Sequence, residues 1–159
     1  MTVANKVTII SGASGGLGAV VSQKFHQAGA AVVLVGTRPD AVETLAAALG
    51  RERALPIAAN LAEPAGATEV VAATLKEFGR VDILLNLAGG FSGGKLTGDR
   101  AVDDLERMFD INVRTAYHLC RAAVKPMIDQ NWGRIVNTGS RAALRGQAGL
   151  SAYAMSKAA

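Results

Sequence analysis

Residues 7–29 constrain this chain more tightly than any other stretch. An aliphatic and β-branched run, Val7-Thr8-Ile9-Ile10, enters the turn Ser11-Gly12-Ala13-Ser14-Gly15-Gly16-Leu17-Gly18, and Leu17, Val21, Phe25 and Ala28 leave it at helical spacing before Gly29. The pattern predicts a strand, a glycine turn and a helix that packs on the strand, with Gly29 capping the helix. Glycine lets the backbone turn tightly and lie against a ligand, and the free N–H groups at a new helix start attract an anion such as a pyrophosphate. The spacing Gly12-x3-Gly16-x-Gly18 differs from the G-x-G-x-x-G fingerprint of dinucleotide folds. Taken alone, such a turn also fits a purely structural role.

The rest of the chain alternates short β-branched runs with helical ones, which predicts a parallel sheet covered on both faces. Ala31–Val35 has no polar alternation, the pattern of a strand buried on both sides. Asp40 is expected to cap a helix with Val42, Leu45, Ala46 and Leu49 on one face and Gly50 at its end. Leu55–Ala59 reads as a third strand, and Pro56, which cannot donate to a ladder, places it at an edge, as the order 3-2-1-4-5 requires. A helix from Pro64 to Phe78 leads to a fourth strand, Val81–Leu85, and then to Asn86-Leu87-Ala88-Gly89-Gly90. The glycine-rich stretch Gly89–Gly98 leaves the carboxyl end of that strand, where substrates meet such loops, although a plain surface connector would read the same way.

Asp99, Asp103 and Asp104 favour a helix start, followed by an apolar seam of Leu105, Phe109, Val113, Ala116, Cys120, Ala123 and Met127. Arg114, His118, Arg121 and Lys125 mark another face, read as a solvated stripe. A fifth strand, Arg134–Thr138, ends just before Ser140, and Tyr153 and Lys157 stand four apart, on one face of a helix. A cation beside a phenol in a partly desolvated cleft favours acid–base work by the phenol, although taken alone a Tyr and a Lys at this spacing are in most proteins a chance pair.

Composition narrows the classes of function. At 159 residues and 50% hydrophobic content the chain can bury one core, so residues 1–159 read as one domain. Cys120 has no second cysteine to pair with, and no apolar run approaches the ~18 residues of a membrane span. Residues 1–6 do not resemble a secretion signal, so a cytoplasmic protein without a membrane partner is expected. The net charge of +4 is spread along the chain without a Lys/Arg run, which argues against a nucleic-acid surface and fits a small phosphorylated ligand. His26 and His118 lack partners at ligand spacing, so no metal site is expected.

Together, the Ser11–Gly18 turn, Asn86-Leu87-Ala88-Gly89, Asn112 within Phe109–Val113, and Ser140 with Tyr153 and Lys157 resemble the motifs of the short-chain dehydrogenase/reductase family, in the family's order. The resemblance covers the whole chain and matches the family's N-terminal portion. It implies an α/β, Rossmann-type doubly wound sheet of order 3-2-1-4-5, truncated before strands six and seven and so a dinucleotide-binding domain incomplete at its C-terminus. It also implies an oxidoreductase that interconverts a carbonyl and an alcohol by hydride transfer with a nicotinamide cofactor. The catalytic set would be Asn112, Ser140, Tyr153 and Lys157, with Tyr153 exchanging the proton, Ser140 bonding the substrate oxygen, Lys157 assisting Tyr153 and binding ribose, and Asn112 seating a relay water. Cofactor contacts would come from Gly12, Ser14, Gly15, Gly16, Leu17 and Gly18 in the turn, and from Thr37 and Arg38 after the second strand. Asn60, Leu61, Asn86, Ala88 and Gly89, with Tyr153 and Lys157, complete the implied set.

Several positions depart from the family pattern. Leu87 replaces a usual second Asn, and Asn60 stands where an Asp often faces adenine. Gly36-Thr37-Arg38 offers no acid for a ribose 2′-hydroxyl but suits a 2′-phosphate, so NADP is expected over NAD. The sequence ends two residues after Lys157, where the family continues. Expected consequences are an uncovered edge at Ile135 and Val136, self-association into a homo-oligomer, and, as the alternative function, a weak or inactive nucleotide-binding fragment lacking a substrate lid.

Overall fold

The structure, a computed structural model, describes residues 2–99 and 101–159. Five strands, β1 (Val7–Ser11), β2 (Ala31–Gly36), β3 (Ala54–Ala58), β4 (Ile83–Asn86) and β5 (Arg134–Asn137), form a parallel sheet in the order β3-β2-β1-β4-β5. The helices are α1 (Gly16–Gln27), α2 (Pro39–Leu49), α3 (Pro64–Phe78), α4 (Asp103–Phe109), α5 (Thr115–Asp129) and α6 (Ser151–Ala158). The expected fold class and strand order are therefore those observed.

Strand periodicity divides the core in two. Ile9, Val33, Val35 and Leu84 meet Val70 and Val71 of α3 and Leu119, Ala123 and Met127 of α5 on one face. Ile10, Val32, Leu34 and Leu85 meet Ala46 of α2, with Val21 and Phe25 of α1 packed at the margin, on the other. Val32 through Val35 are fully inaccessible, as expected of a strand covered on both faces. Each such buried aliphatic side chain contributes about 1.5–3 kcal/mol. Pro56 pairs opposite Leu34 on the edge strand β3, where its missing N–H costs no interior ladder bond.

Three local expectations are corrected. Asp40 does not cap α2; Pro39 takes the first helical position with Arg38 as N-cap, because proline's fixed φ and absent N–H suit that place. Leu17 is 58% exposed, and the face of α1 that meets the sheet is made by Gly18 and Ser22, since a helix this close to a strand needs small residues there. The buried line before and along α5 is Met108, Asn112, Thr115, Leu119, Ala123 and Met127. A π turn at Asp110–Arg114 joins α4 to α5; Leu105, Phe109, Val113, Ala116 and Cys120 lie half-buried beside that line, while Ala123 and Met127 are buried as expected.

At the amino ends of the strands, Asp82 is fully inaccessible and accepts from the Val7 N–H at 2.9 Å and from Arg80 at 2.7 and 2.6 Å, with Lys6 at 3.6 Å. Burial pushes its carboxyl up, but the Arg80 and Val7 hydrogen bonds and the charges of Arg80 and Lys6 outweigh that and hold it below the ordinary carboxylate value. At the far edge from β3, β5 pairs with β4 and leaves Ile135 and Val136 partly exposed. No helix among the described residues is long and apolar enough to cross a membrane.

Candidate active site

The glycines of the first turn do different jobs. Gly12 has φ +68°, and a Cβ there would lie 2.8 Å from the Ala88 N and Cα, so the exit of β1 runs directly against the exit of β4. A Cβ on Gly18 would collide with the Gly12 carbonyl oxygen and come within 2.8 Å of the Ala13 Cα. Gly16 meets nothing within 4 Å and faces open space. The buried Ser11 hydroxyl accepts from the Leu87 and Ala88 N–H groups at 3.2 and 3.1 Å, fixing the distance between the two strand ends. The first turn of α1 carries neither a side-chain cap nor an acidic residue, and Gly15 to Leu17 are exposed, so its partial positive charge faces solvent.

Beside this turn a cavity of about 280 Å³ gathers Gly12, Ser14, Thr37, Asn60, Leu61, Ala88 and Gly89. Ile111 and Thr115 also line it, from the π turn and the start of α5, a contribution that sequence periodicity does not reveal. Arg38 lies next door, in a depression it shares with Ser14 and Thr37. The Asn60 carboxamide oxygen accepts from the Ala62 N–H at 3.1 Å within its own turn. The Asn86 amide is directed elsewhere: it donates to Asn137 at 2.8 Å and to the Cys120 sulfur at 3.3 Å, tying β4 to β5 and α5. Burial pushes the Cys120 thiol up, only partly offset by that bond, so it stays protonated rather than nucleophilic.

The π turn aims Asn112 into the space between strand ends and α6. Its carboxamide oxygen accepts from the Gly90 N–H at 2.9 Å, and its amide donates to the Gly90 carbonyl at 3.1 Å and to Ser156 at 2.9 Å. Ser156 in turn donates to the Tyr153 carbonyl at 2.8 Å. Ser156 is thus a structural link in the site that its motif neighbours give no sign of. Lys157 donates to the Thr138 carbonyl at 3.3 Å, and a Cβ on Gly89 would lie 3.2 Å from its Nζ, which sets the ammonium against the backbone after β4.

Ser140 and Tyr153 face a second cavity of about 630 Å³ together with Phe91, whose ring meets Tyr153 edge-on at 5.0 Å. Ser140 accepts from the Ala142 N–H at 3.2 Å, which leaves its own proton free to donate. Asn112 and Lys157 line a neighbouring space of about 360 Å³ with Thr138 and Ser156. The four candidate catalytic residues therefore fall into two pairs, Ser140 with Tyr153 on one cavity and Asn112 with Lys157 on another, and the two cavities share no lining residue. Among the described residues no group of three or more His, Cys, Asp or Glu side chains could hold a metal ion.

The chain is similar to known proteins over nearly its whole length. An oxidoreductase of Staphylococcus aureus (strain MRSA252) without assigned activity is 28% identical over 155 residues, 98% of this chain and 67% of the relative. One from Staphylococcus epidermidis is 29% identical, over 99% of this chain and 67% of its own. Among solved structures, an NAD⁺-bound xylitol dehydrogenase superposes with a TM-score of 0.93 at 31% identity, covering 99% of this chain and 62% of that one. A serine dehydrogenase from Escherichia coli gives 0.90 at 30% identity, covering 96% and 70%. The chain thus spans about two thirds of the length of these relatives. The family model for short chain dehydrogenases matches residues 6–159, a span that takes in the glycine turn, all five strands and α6, and the chain belongs to the short chain dehydrogenase family.

Proposed function

We propose that residues 1–159 form a single dinucleotide-binding domain that binds NADP and reduces a small-molecule carbonyl to an alcohol, with Tyr153 as the proton donor. The observation that carries this reading is the shared edge: the α1 N-terminus, Gly89, Lys157 and the Ser140–Tyr153 cavity all lie at the carboxyl ends of β1, β4 and β5. The cradle suits a dinucleotide because Gly16 opens onto space where a Cβ would intrude, the α1 N-terminus is uncapped, and the strand exits are packed too closely for any side chain at Gly12.

The nicotinamide, when bound, supplies a hydride to the carbonyl carbon. The protein handles the rest. Tyr153 gives its phenolic proton to the oxygen as the C=O π bond becomes a C–H and an O–H bond. Ser140, whose hydroxyl already accepts from Ala142, donates a hydrogen bond to the same oxygen. Asn112 holds Gly90 and Ser156 in place and keeps one lone pair of its carboxamide oxygen for a water. Arg38, exposed beside the Ser14–Thr37 edge, meets a 2′-phosphate.

Two substitutions test this. Tyr153→Phe should lower turnover about 10²–10⁴-fold while leaving NADPH affinity intact, and a near-normal rate would move the proton donor elsewhere. Arg38→Ala should weaken NADPH binding by about 1.5–3 kcal/mol and leave NADH little changed. Tighter binding of NADH than NADPH by the unaltered protein would overturn the cofactor assignment. Binding of NADPH with no turnover of any ketone would favour a nucleotide-binding role without catalysis.

A further inference from the structure

We propose that the substrate of the Ser140–Tyr153 cavity carries an oxyanion, a carboxylate or a phosphate, bound by Arg141 and Arg145; the inference rests on the reductase reading above. Both arginines line the cavity with Ser140 and Tyr153, and no Asp or Glu does. Elsewhere the described arginines mostly find partners: Arg80 pairs with Asp82, Arg107 with Asp104, Arg114 with Asp110 and Glu106, and Arg51 with Glu43. Arg53 and Arg134 donate to backbone carbonyls. Arg141 and Arg145 are exposed and, like Arg38 and Arg121, have neither ion-pair nor hydrogen-bond partner among the described residues; what sets them apart is that both line one cavity, which no described Asp or Glu lines.

Their placement follows from the catalytic serine itself. Ser140 caps the short 3-10 turn Arg141–Ala143 through the Ala142 N–H, so the group that meets the carbonyl also fixes the backbone that carries Arg141. Arg145 follows one residue after that turn's C-cap, Leu144. Guanidinium forks match the planar oxygens of carboxylate and phosphate in bidentate fashion, which makes them orienting groups as well as charges. Phe91 and Leu150, also lining the cavity, give a short carbon chain an apolar wall. The cofactor's own phosphates do not account for these cations, because the uncapped α1 N-terminus and Arg38 lie by other depressions, near Ser14 and Thr37. The picture is of a carbonyl compound held at its anionic end by Arg141 and Arg145 with its carbonyl turned to Tyr153.

The test compares pyruvate, acetoacetate and levulinate with their methyl esters, and dihydroxyacetone phosphate with dihydroxyacetone, as substrates for NADPH oxidation by the whole chain. At least one anion should be preferred over its neutral counterpart by about 100-fold or more in kcat/KM, chiefly through KM, with the keto-acid and phosphate arms separating the two sources of oxyanion. Raising ionic strength should raise KM for the anion and not for the ester. Arg141→Gln and Arg145→Gln should each raise that KM about tenfold or more with kcat and ester kinetics little changed, Arg145→Lys should recover part of the loss, and Lys125→Gln, a charge removed from a distant face, should do nothing. Equal use of acid and ester, or equal damage to both by the arginine substitutions, would overturn the inference while leaving the reductase reading intact. Calorimetric binding of the same anions to the NADPH-loaded protein covers the case of no turnover: arginine-dependent binding there would sustain the anion site and remove the reductase, and no binding would overturn the anion site.

Discussion

The two ends of the sheet are built on opposite principles. At the amino ends, charge is answered inside the chain: Asp82 receives Val7 N–H, Arg80 and Lys6, and its own backbone carbonyl takes the Arg134 N–H at 2.9 Å. Gln130 donates there to the Val81 and Trp132 carbonyls, and the Lys6 ammonium sits 4.1 Å from the centre of the Trp132 ring. At the carboxyl ends, capacity is left over. The α1 N-terminus is uncapped and Gly16 opens on space. Internally satisfied groups lower the energy of the fold, whereas groups held in position and left unsatisfied lower the energy of a bound ligand. Substitutions at the amino ends should therefore move stability, and those at the carboxyl ends should move affinity.

The largest expected effect is at the amino ends. Asp82→Ala strips a buried N–H and two cations of their acceptor and should cost about 3 kcal/mol of stability while leaving affinity for the nicotinamide cofactor unchanged among the molecules that remain folded. Because the folded carboxyl lies below its ordinary value of 3.8, its contribution is complete above that value and is lost as pH falls through the lower, folded one. Urea midpoints followed downward from pH 5 should drop more steeply below about pH 4 in the parent than in Asp82→Asn. A parallel fall in the two proteins would mean that other carboxylates carry the acid sensitivity.

The next effect separates two glycines in one turn of helix. Gly18→Ala forces a methyl into the Gly12 carbonyl and should cost about 1–3 kcal/mol of stability as well as cofactor affinity. Gly16→Ala meets no protein atom and gains helix propensity, so thermal stability should hold or rise slightly while affinity for the nicotinamide cofactor falls. If Gly16→Ala binds the cofactor normally, the open space above α1 is not where the phosphates lie, and the contrast between the sheet's ends loses its main support.

How much of this is legible in the sequence follows the range of the interactions. The β1–turn–α1 unit is local, and its glycine spacing is enough to imply its geometry. The strand order follows from runs such as Ala31–Val35 and from Pro56 at an edge, both again local signals. Close packing misleads where it demands small residues: hydrophobic spacing puts Leu17 on the inner face of α1, but contact with the sheet is made by Gly18 and Ser22. The π turn is invisible in sequence because one altered hydrogen-bond register leaves no mark on composition, and the buried seam runs one residue ahead of the expected one as far as Leu119 before meeting it at Ala123 and Met127. The Asp82 cluster draws a partner from residue 7, and Asn112 reaches Gly90 and Ser156, 22 and 44 residues away, so neither network has a pattern within any short window. Arg141 and Arg145 carry no local signal either, because an arginine without a partner is recognised only once every neighbour is placed.

The smallest effect sharpens the account of the amino ends by asking which cation holds Asp82. Arg80 makes two short hydrogen bonds to the carboxylate, at 2.7 and 2.6 Å, but its side chain is 45% exposed, so solvent screens much of the attraction. Lys6 stands farther off, at 3.6 Å, yet it is 27% exposed and also lies over the Trp132 ring. Hydrogen bonding to a buried acceptor outweighs distance-weakened charge, so Arg80→Met should cost about 1–2 kcal/mol and Lys6→Met about 0.5–1 kcal/mol. The double variant should cost more than the sum, because the last cation removed leaves the buried carboxylate with no counter-charge. Denaturant titration of the four proteins measures that coupling directly. Strict additivity would show that Asp82 is held by the Val7 N–H and the backbone around it, and that the two cations merely decorate the closed end of the sheet.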